Sequence, residues 1–133
     1  MEGQTRHAES PRVLVVDDEA LVRWSVAQTL TDEGYEVSEA SDAAAAVRAL
    51  SGAVRHLDLL LLDLRLPDAD DLRVLSAARR LSPDTQVIIM TAYANPELLE
   101  DARRLGAFAV VSKPFDMDDL APLMTRALSA RPH

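Results

Sequence analysis

The chain carries Asp58-Leu59-Leu60-Leu61-Leu62-Asp63, four consecutive leucines between two aspartates. A continuous apolar run of this kind is typical of a strand that is buried on both faces of a parallel sheet. Residues 13–16 (Val-Leu-Val-Val) and 86–90 (Gln-Val-Ile-Ile-Met) have the same character. We therefore interpret 58–63 as the central strand of an α/β domain whose helices cover both faces of the sheet.

The rest of the chain alternates short strands with longer helical segments. Further strands are predicted at residues 35–40 and 108–111, and helices at residues 19–33, 43–50, 70–81, 95–106 and 116–128. Gly34 stands where a left-handed cap would end the first helix, Gly106 ends the fourth, and Ser41 or Asp42 can cap the second. Five strands in strict alternation with five helices predict one doubly wound parallel sheet in a single domain.

Composition limits the functions that are open to this chain. The 133 residues have a formal net charge of −8, which argues against direct binding to nucleic acid or to an anionic membrane surface. The absence of cysteine excludes thiolate zinc sites, disulfides and cysteine nucleophiles. The longest apolar run, 59–62, is too short to span a bilayer, and residues 1–10 have no signal-peptide apolar region. A soluble cytoplasmic protein is expected, with surface histidines at His7, His56 and His133.

Five polar residues stand where predicted strands end: Asp17, Asp18, Asp63, Thr91 and Lys113. Because the carboxyl ends of parallel strands meet at one edge of a sheet, we expect these side chains to form one site. Clustered carboxylates raise one another's pKa unless a cation neutralises them, and an all-oxygen site with few ligands suits Mg²⁺. The lysine and the threonine can bind an anion beside that cation.

Each of these residues also has an ordinary explanation when it is taken alone. Asp18 by itself is most often a helix N-cap, Lys113 before a proline is most often a loop residue, and Thr91 can cap the following turn. Their occurrence together at one edge of the sheet favours a functional site.

Four stretches resemble the receiver domain of bacterial two-component response regulators, in the right order and over about residues 12–128. They are Val15-Val16-Asp17-Asp18, Leu62-Asp63-Leu64-Arg65-Leu66-Pro67, Ile88-Ile89-Met90-Thr91-Ala92 and Lys113-Pro114-Phe115. Details such as Val22-Arg23-Trp24 and Gly106-Ala107-Phe108 resemble the receivers of enhancer-binding transcription activators. The resemblance implies the flavodoxin-like strand order 2-1-3-4-5 and a receiver domain at 12–129, between a flexible tail at 1–11 and a C-terminal tail at 130–133.

The resemblance also implies a phosphoacceptor and a metal site. Asp63 would take a phosphoryl group from a phosphohistidine of a sensor histidine kinase or a histidine phosphotransfer protein. Asp18, Asp63 and the backbone carbonyl of Arg65 would bind Mg²⁺ directly, and Asp17 would bind it through a water molecule. Such a domain is a signalling phosphoacceptor that promotes its own phosphorylation and dephosphorylation, and not a conventional enzyme.

The same resemblance assigns the groups around the phosphoryl oxygens. Lys113 would balance their charge, and Thr91 with the backbone amide of Ala92 would bind them. The family often has a cis peptide after this lysine, so the Lys113-Pro114 bond is predicted to be cis.

Several positions depart from the family pattern or remain open. Val110 stands where receivers usually carry a tyrosine or phenylalanine that changes rotamer, so the route by which a signal would spread is open. Asp71 stands where glycine is common, and aspartate can instead cap a helix. Trp24 is interpreted as a partly buried flank residue, with contact to a kinase as the alternative. Tyr93 is expected to be a partly exposed loop residue that tunes access to the phosphoryl group, with a substitute for the missing aromatic switch as the alternative.

Two other functions compete with a receiver. A Mg²⁺-dependent small-molecule phosphatase or phosphotransferase would use a second aspartate two residues after the nucleophile, where this chain has Arg65, and would need a cap insertion. A flavodoxin-like cofactor binder would need a phosphate-binding loop where this chain has Asp17-Asp18-Glu19.

The partners that the sequence suggests are proteins. A downstream protein or an output domain would receive the signal, although no output domain is expected within these residues. A homodimer is possible if the Arg103-Arg104 pair meets Asp116, Asp118 or Asp119 of a second subunit.

Overall fold

The structure is a computed structural model that describes residues 10–52 and 56–130. Within these residues five strands alternate with five helices, as predicted. They are β1 (Arg12–Val16), α1 (Ala20–Asp32), β2 (Glu36–Ala40), α2 (Ala43–Gly52), β3 (Leu59–Asp63), α3 (Arg73–Leu81), β4 (Gln86–Thr91), α4 (Pro96–Arg104), β5 (Ala109–Ser112) and α5 (Met117–Ala130).

The strands form one parallel sheet in the order β2-β1-β3-β4-β5, which confirms the predicted order. All five residues of β3 are buried, as expected for the central strand. Because every strand is parallel, the carboxyl ends of β1, β3, β4 and β5 lie along the same edge. The functional site is built at that edge.

Side chains on successive strand residues point to opposite faces and fill two separate cores. Val13 and Val15 of β1 pack with α1 and α5, whereas Leu14 and Val16 pack with α2, α3 and α4. A fully buried leucine or valine contributes about 1.5–3 kcal/mol relative to an exposed one. The apolar runs therefore hold helices on both faces and fix the position of the strand ends.

Most element boundaries differ from the predictions by one to three residues, and three of these differences are informative. Helix α3 begins at Arg73 and not at residue 70: a tight turn covers residues 66–69, and the Asp71 side chain then accepts from the Arg73 amide where the helix starts. Strand β5 covers 109–112 and not 108–111, since the backbone amide of Lys113 continues its hydrogen bonding to β4. Helix α5 covers 117–130 and not 116–128.

The interpretation of Trp24 as a partly buried residue is wrong. Its exposed fraction is 59%, and Leu21, one turn earlier on α1, is 81% exposed. The buried side of α1 is instead formed by Val26, Ala27 and Leu30, so the tryptophan lies on the solvent side of the helix.

The helix ends are held by carboxylate and amide side chains. Asp42 accepts a hydrogen bond from the Ala45 amide at 2.7 Å, as expected for a cap of α2. Asn95 caps α4 by accepting from the Leu98 amide at 2.8 Å. Gly34 has a φ of +99° after α1, a conformation that glycine adopts without steric cost.

The loop after β3 contributes a cap that sequence reasoning missed. Asp68 reaches the beginning of α2 and accepts hydrogen bonds from the amides of Ala43 (2.7 Å) and Ala44 (3.0 Å). Asp71 accepts at 3.0 Å from the amide of Arg73, the first residue of α3, although the N-cap position itself is occupied by Leu72.

Some predictions fall on residues outside the described part. The predicted tails at 1–11 and 130–133 lie there except for residues 10, 11 and 130, the last of which ends α5. His7 and His133 also lie outside it, and His56 is exposed. None of the described helices combines the length and apolar character that crossing a bilayer requires.

Candidate functional site

Three carboxylates meet where β1 and β3 end. Asp17 directly follows β1 and is fully buried, Asp63 is the last residue of β3 and is 4% exposed, and Asp18 is exposed to solvent. One carboxylate oxygen from each lies within 4.8 Å of those of the other two. The structure therefore brings together the three aspartates that the sequence predicted to share one edge.

The ammonium group of Lys113 lies among these carboxylates. Its Nζ donates to Asp17 Oδ2 at 2.7 Å, to Asp63 Oδ2 at 3.2 Å and to Glu19 Oε1 at 3.2 Å. Lys113 follows β5, and its backbone amide donates to the Thr91 carbonyl at 2.7 Å. The Lys113-Pro114 bond is cis, as predicted.

Backbone amides fix the other oxygens of the two buried carboxylates. The Glu19 amide donates to Asp17 Oδ1 at 2.9 Å, and the Arg65 amide donates to Asp63 Oδ1 at 3.1 Å. Asp18 makes no side-chain hydrogen bond to any described residue and stands at the mouth of the site. The buried pair is thus held in place, and Asp18 is available to a ligand.

The environment moves the pKa values of Asp63 and Lys113. Burial is the largest influence on Asp63 and, with the charge of Asp17, raises the pKa of its carboxyl, although the Arg65 amide and Lys113 oppose that rise. Burial opposes the charge of Lys113, but the hydrogen bond and charge of Asp17, followed by those of Asp63, raise its pKa above its usual value. The lysine is therefore a permanent cation at neutral pH.

The donor set fits a small hard cation. Among the described residues here, three aspartates face one lysine, so the cluster keeps an excess of negative charge. Carboxylate oxygens and a backbone carbonyl are the ligands that Mg²⁺ prefers. The acidic cluster is therefore suited to Mg²⁺.

Thr91 and Ala92 lie beside the acidic cluster at the end of β4. Thr91 is 2% exposed, and its hydroxyl oxygen accepts a hydrogen bond from the Tyr93 amide at 3.1 Å. Met90, one residue before it, is the register partner of Asp63. Ala92 lines the same cavity as Asp63 and Lys113.

An open cavity of about 490 Å³ lies over Asp63. Its walls include Asp18, Arg65, Tyr93 and Lys113. The Arg65 guanidinium carbon lies 5.2 Å from the centre of the Tyr93 ring, which is a cation–π distance. Tyr93 is 66% exposed, more than expected, but it does lie at the site.

Sequence reasoning missed two residues that contact this cluster. Glu19 contacts Lys113, and its place directly after Asp17 and Asp18 was the available signal. Arg23 donates to the Asp17 backbone carbonyl at 2.7 Å and to Glu39 at 3.0 Å. It thereby joins α1 and β2 to the end of β1, a contact that no local pattern announces.

Val110 is half-buried and packs against the core on the face that carries α4. It lines a small cavity of about 150 Å³ together with Leu99 and Arg103. A β-branched side chain at this position has no ring that could change rotamer.

Comparison with known proteins identifies the family to which this arrangement belongs. The family model for the response regulator receiver domain matches residues 13–125. The chain belongs to the response regulator receiver domain family. Receiver domains are phosphoacceptors of two-component signalling, and the comparisons lend no support to a small-molecule phosphatase.

Individual relatives are consistent with this family. The chain is 37% identical over 135 residues to the transcriptional regulatory protein PdtaR of Mycobacterium tuberculosis. This alignment covers 97% of this chain and 63% of that protein. The chain is 38% identical over 117 residues to the regulatory protein AtoC of Escherichia coli, and this alignment covers 88% of this chain and 25% of that protein. The chain thus spans less than two thirds of these relatives.

A solved structure agrees with the fold. The CheY-like receiver domain protein of Methanospirillum hungatei superposes with a TM-score of 0.85 at 31% identity, over 91% of this chain and 95% of that one.

Proposed function

We propose that Asp63 accepts a phosphoryl group from a phosphohistidine on a sensor histidine kinase or a histidine phosphotransfer protein. The observation that carries this proposal is the environment of its carboxylate, which lies beneath an open acidic cavity with the Lys113 ammonium at 3.2 Å. An Asp63 oxygen attacks phosphorus, the bond from phosphorus to the histidine nitrogen breaks, and the imidazole leaves with the electron pair. Such transfer depends on positioning and charge neutralisation more than on acid–base catalysis.

Backbone and side-chain groups around Asp63 supply that positioning. The Arg65 amide holds Asp63 Oδ1, so the carboxylate is oriented before a phosphoryl donor arrives. Lys113 balances the negative charge of the phosphoryl oxygens. We assign the Thr91 hydroxyl and the Ala92 amide to those same oxygens, because Thr91 ends β4 and Ala92, the next residue, lines the cavity.

Asp18, Asp63 and the backbone carbonyl of Arg65 would bind Mg²⁺ directly, and Asp17 would bind it through a water molecule. The exposure of Asp18 supports direct binding, whereas Asp17 is fully buried and its Oδ2 lies 2.7 Å from Lys113 Nζ, closer than Asp63 Oδ2 at 3.2 Å. When bound, the ion neutralises charge on the phosphoryl oxygens and aligns them with the nucleophile.

We further propose that the chain promotes its own phosphorylation and dephosphorylation and acts in the cytoplasm as a signalling phosphoacceptor. The receiver would occupy residues 12–129, with tails at 1–11 and 130–133. A downstream protein or an output domain would receive the signal. We also propose that the chain can form a homodimer. We propose no direct role in nucleic-acid or membrane binding, because the net charge is −8.

The test is incubation with acetyl phosphate and Mg²⁺, followed by intact mass spectrometry. Wild type should gain one base-labile phosphoryl group, and D63N should gain none while keeping its fold. D84N, which changes an exposed aspartate of the α3–β4 loop, is the matched control and should react like wild type. Normal labelling of D63N would overturn the assignment of Asp63, and turnover of a free phosphomonoester without an adduct would favour the phosphatase.

The homodimer has a separate test. Sedimentation over a concentration series with beryllofluoride, a phosphoryl mimic, should show self-association that R103E weakens. A monomer at every concentration would exclude it.

A further inference from the structure

We propose that Asp68 is a positioning residue that holds one wall of the phosphoacceptor cavity in place by binding the N-terminus of α2. The wall is the β3–α3 loop, residues 64–72, which joins Asp63 to α3. This inference rests on the proposed function and assigns a role to a residue that lies outside the acidic cluster.

Asp68 binds α2 with both of its carboxylate oxygens. Oδ1 accepts from the Ala43 amide at 2.7 Å, and Oδ2 accepts from the Ala44 amide at 3.0 Å. The next amide, that of Ala45, donates to Asp42, the local cap, at 2.7 Å. The first three amides of α2 thus all donate to carboxylates, and two of them donate to Asp68, which lies more than twenty positions away in the chain.

The turn that carries Asp68 is fixed at its base as well as at its tip. The backbones of Leu66 and Ala69 exchange two hydrogen bonds, at 3.0 and 3.3 Å, and both side chains are buried in the core. Pro67 and Asp68 occupy the two central positions of this turn, where proline at the first suits the backbone. The turn therefore joins the core beneath it to the first turn of α2.

This loop also forms part of the cavity. Arg65, Leu66, Pro67 and Asp70 all line it together with Asp63. The Arg65 amide orients the Asp63 carboxylate, and the Arg65 carbonyl is the backbone ligand proposed for Mg²⁺. If the loop were released from α2, the Asp63 carboxylate and the Arg65 carbonyl would both be held less firmly, since loops without tertiary anchors are the more mobile parts of a fold.

The charge of Asp68 is directed to a helix and not to the acidic cluster. Hydrogen bonds from the Ala43 and Ala44 amides lower its pKa, so the carboxylate stays ionised at neutral pH. A negative charge at a helix N-terminus interacts favourably with the helix dipole. The chain thereby carries another aspartate close to the site without adding its oxygens to those that face the cavity.

The test compares D68A and D68N with wild type and with D84A, which removes an exposed aspartate from the α3–β4 loop. Mg²⁺ affinity is measured by calorimetry well below the unfolding temperature, and phosphorylation by acetyl phosphate is followed against Mg²⁺ concentration. We expect D68A to weaken Mg²⁺ binding about tenfold, as loss of a supporting contact behind metal ligands does. D68N keeps one acceptor oxygen and should lie between D68A and wild type.

Amide hydrogen exchange supplies a readout that does not depend on the metal. In D68A the Ala43 and Ala44 amides should exchange faster, while the Leu98 amide, which Asn95 caps, should not change. Faster exchange at α2 with wild-type Mg²⁺ affinity and phosphorylation would show that Asp68 only stabilises the helix, and would overturn the inference. A wild-type chain that neither binds Mg²⁺ nor forms an adduct would instead overturn the proposed function, and this inference with it.

Discussion

Replacing Lys113 by methionine tests how the acidic cluster is held together. The substitution keeps much of the apolar volume of the side chain but removes the cation that contacts Asp17 at 2.7 Å and Asp63 at 3.2 Å. Both aspartate side chains are almost completely buried, at 0% and 5% exposure. Removing one partner of a buried ion pair typically costs 3–5 kcal/mol, because a buried charge is left uncompensated.

An upper limit for this cost follows from proton binding. A carboxylate left without its cation can become neutral by taking up a proton. Between an ordinary aspartate pKa of about 3.9 and pH 7 this costs about 4 kcal/mol, at about 1.36 kcal/mol per pH unit. The amides of Glu19 and Arg65 still stabilise Asp17 and Asp63, so the loss should stay below that limit. We expect K113M to lower the free energy of unfolding by about 3 kcal/mol at pH 7 without Mg²⁺.

The pH dependence of this loss has a definite sign. The pKa of the Asp63 carboxyl is already raised in folded wild type by burial and by the charge of Asp17, and it should rise further in K113M, which lacks the ammonium that opposes this rise. Folded K113M should therefore bind more protons than either the unfolded chain or folded wild type. Its stability should therefore rise as the pH falls from 7 to 5, by at most about 1.4 kcal/mol per unit for each such carboxyl. In wild type the raised pKa of Lys113 contributes stability that is lost only as the pH rises above the ordinary lysine range, near 10.4. The difference in free energy of unfolding between wild type and K113M should therefore become smaller as the pH falls.

The measurement is urea unfolding at pH 7 and pH 5, with chelator or with Mg²⁺. R104M is the matched control, since it removes a cation that pairs with Asp101 at 3.4 Å on an exposed surface, where such pairs contribute about 0.5 kcal/mol. Mg²⁺ should restore part of the stability of K113M because the ion supplies the missing positive charge. Equal stability of K113M and R104M at both pH values would refute the reasoning.

Two further predictions concern a helix end and the mouth of the cavity. Gly34 and Gly106 both have a φ of +99°, but an added Cβ meets nothing within 4 Å at Gly34, whereas at Gly106 it lies 3.0 Å from Arg79 Nε. G34A should cost about 1 kcal/mol and G106A about 1 kcal/mol more by thermal unfolding, because Arg79 must leave its hydrogen-bonded position; equal losses would contradict this. Y93A should speed hydrolysis of the phosphorylated protein about two- to fivefold, since the contact between Tyr93 and Arg65 is worth about 0.5–1 kcal/mol, while Y93F should leave the rate unchanged. Similar hydrolysis rates for Y93A and Y93F would show that the Tyr93 ring does not restrict the access of water to the phosphoryl group.

The sheet could be predicted from sequence because its strands carry their own evidence. The run Leu59–Leu62 is apolar on both faces, and such a segment has a stable place only in the middle of a covered sheet. Once the alternation of strands and helices is established, the parallel arrangement brings Asp17, Asp63 and Lys113 to one edge without any further information. The candidate site could therefore be predicted from strand ends alone.

What could not be predicted depends on contacts between distant loops. Asp68 is recognisable in sequence as a turn residue after a proline, but nothing local shows that the amides of α2 lie within its reach. The predicted start of α3 is three residues too early, because no local pattern shows that Leu66 and Ala69 pair in a turn with their side chains buried in the core. Trp24 was misplaced because α1 buries only a narrow stripe, which its spacing alone does not delimit.

The contact between Lys113 and Asp17 joins positions 96 residues apart in the chain. A nascent chain on the ribosome therefore lacks the ammonium of its acidic cluster until almost the entire domain has been synthesised and β5 has joined the sheet. Any partly unfolded form that sheds β5 loses the same group. Under the role proposed for Lys113, phosphorylation of Asp63 would therefore require the completed fold, and unfinished or damaged copies would not be phosphorylated.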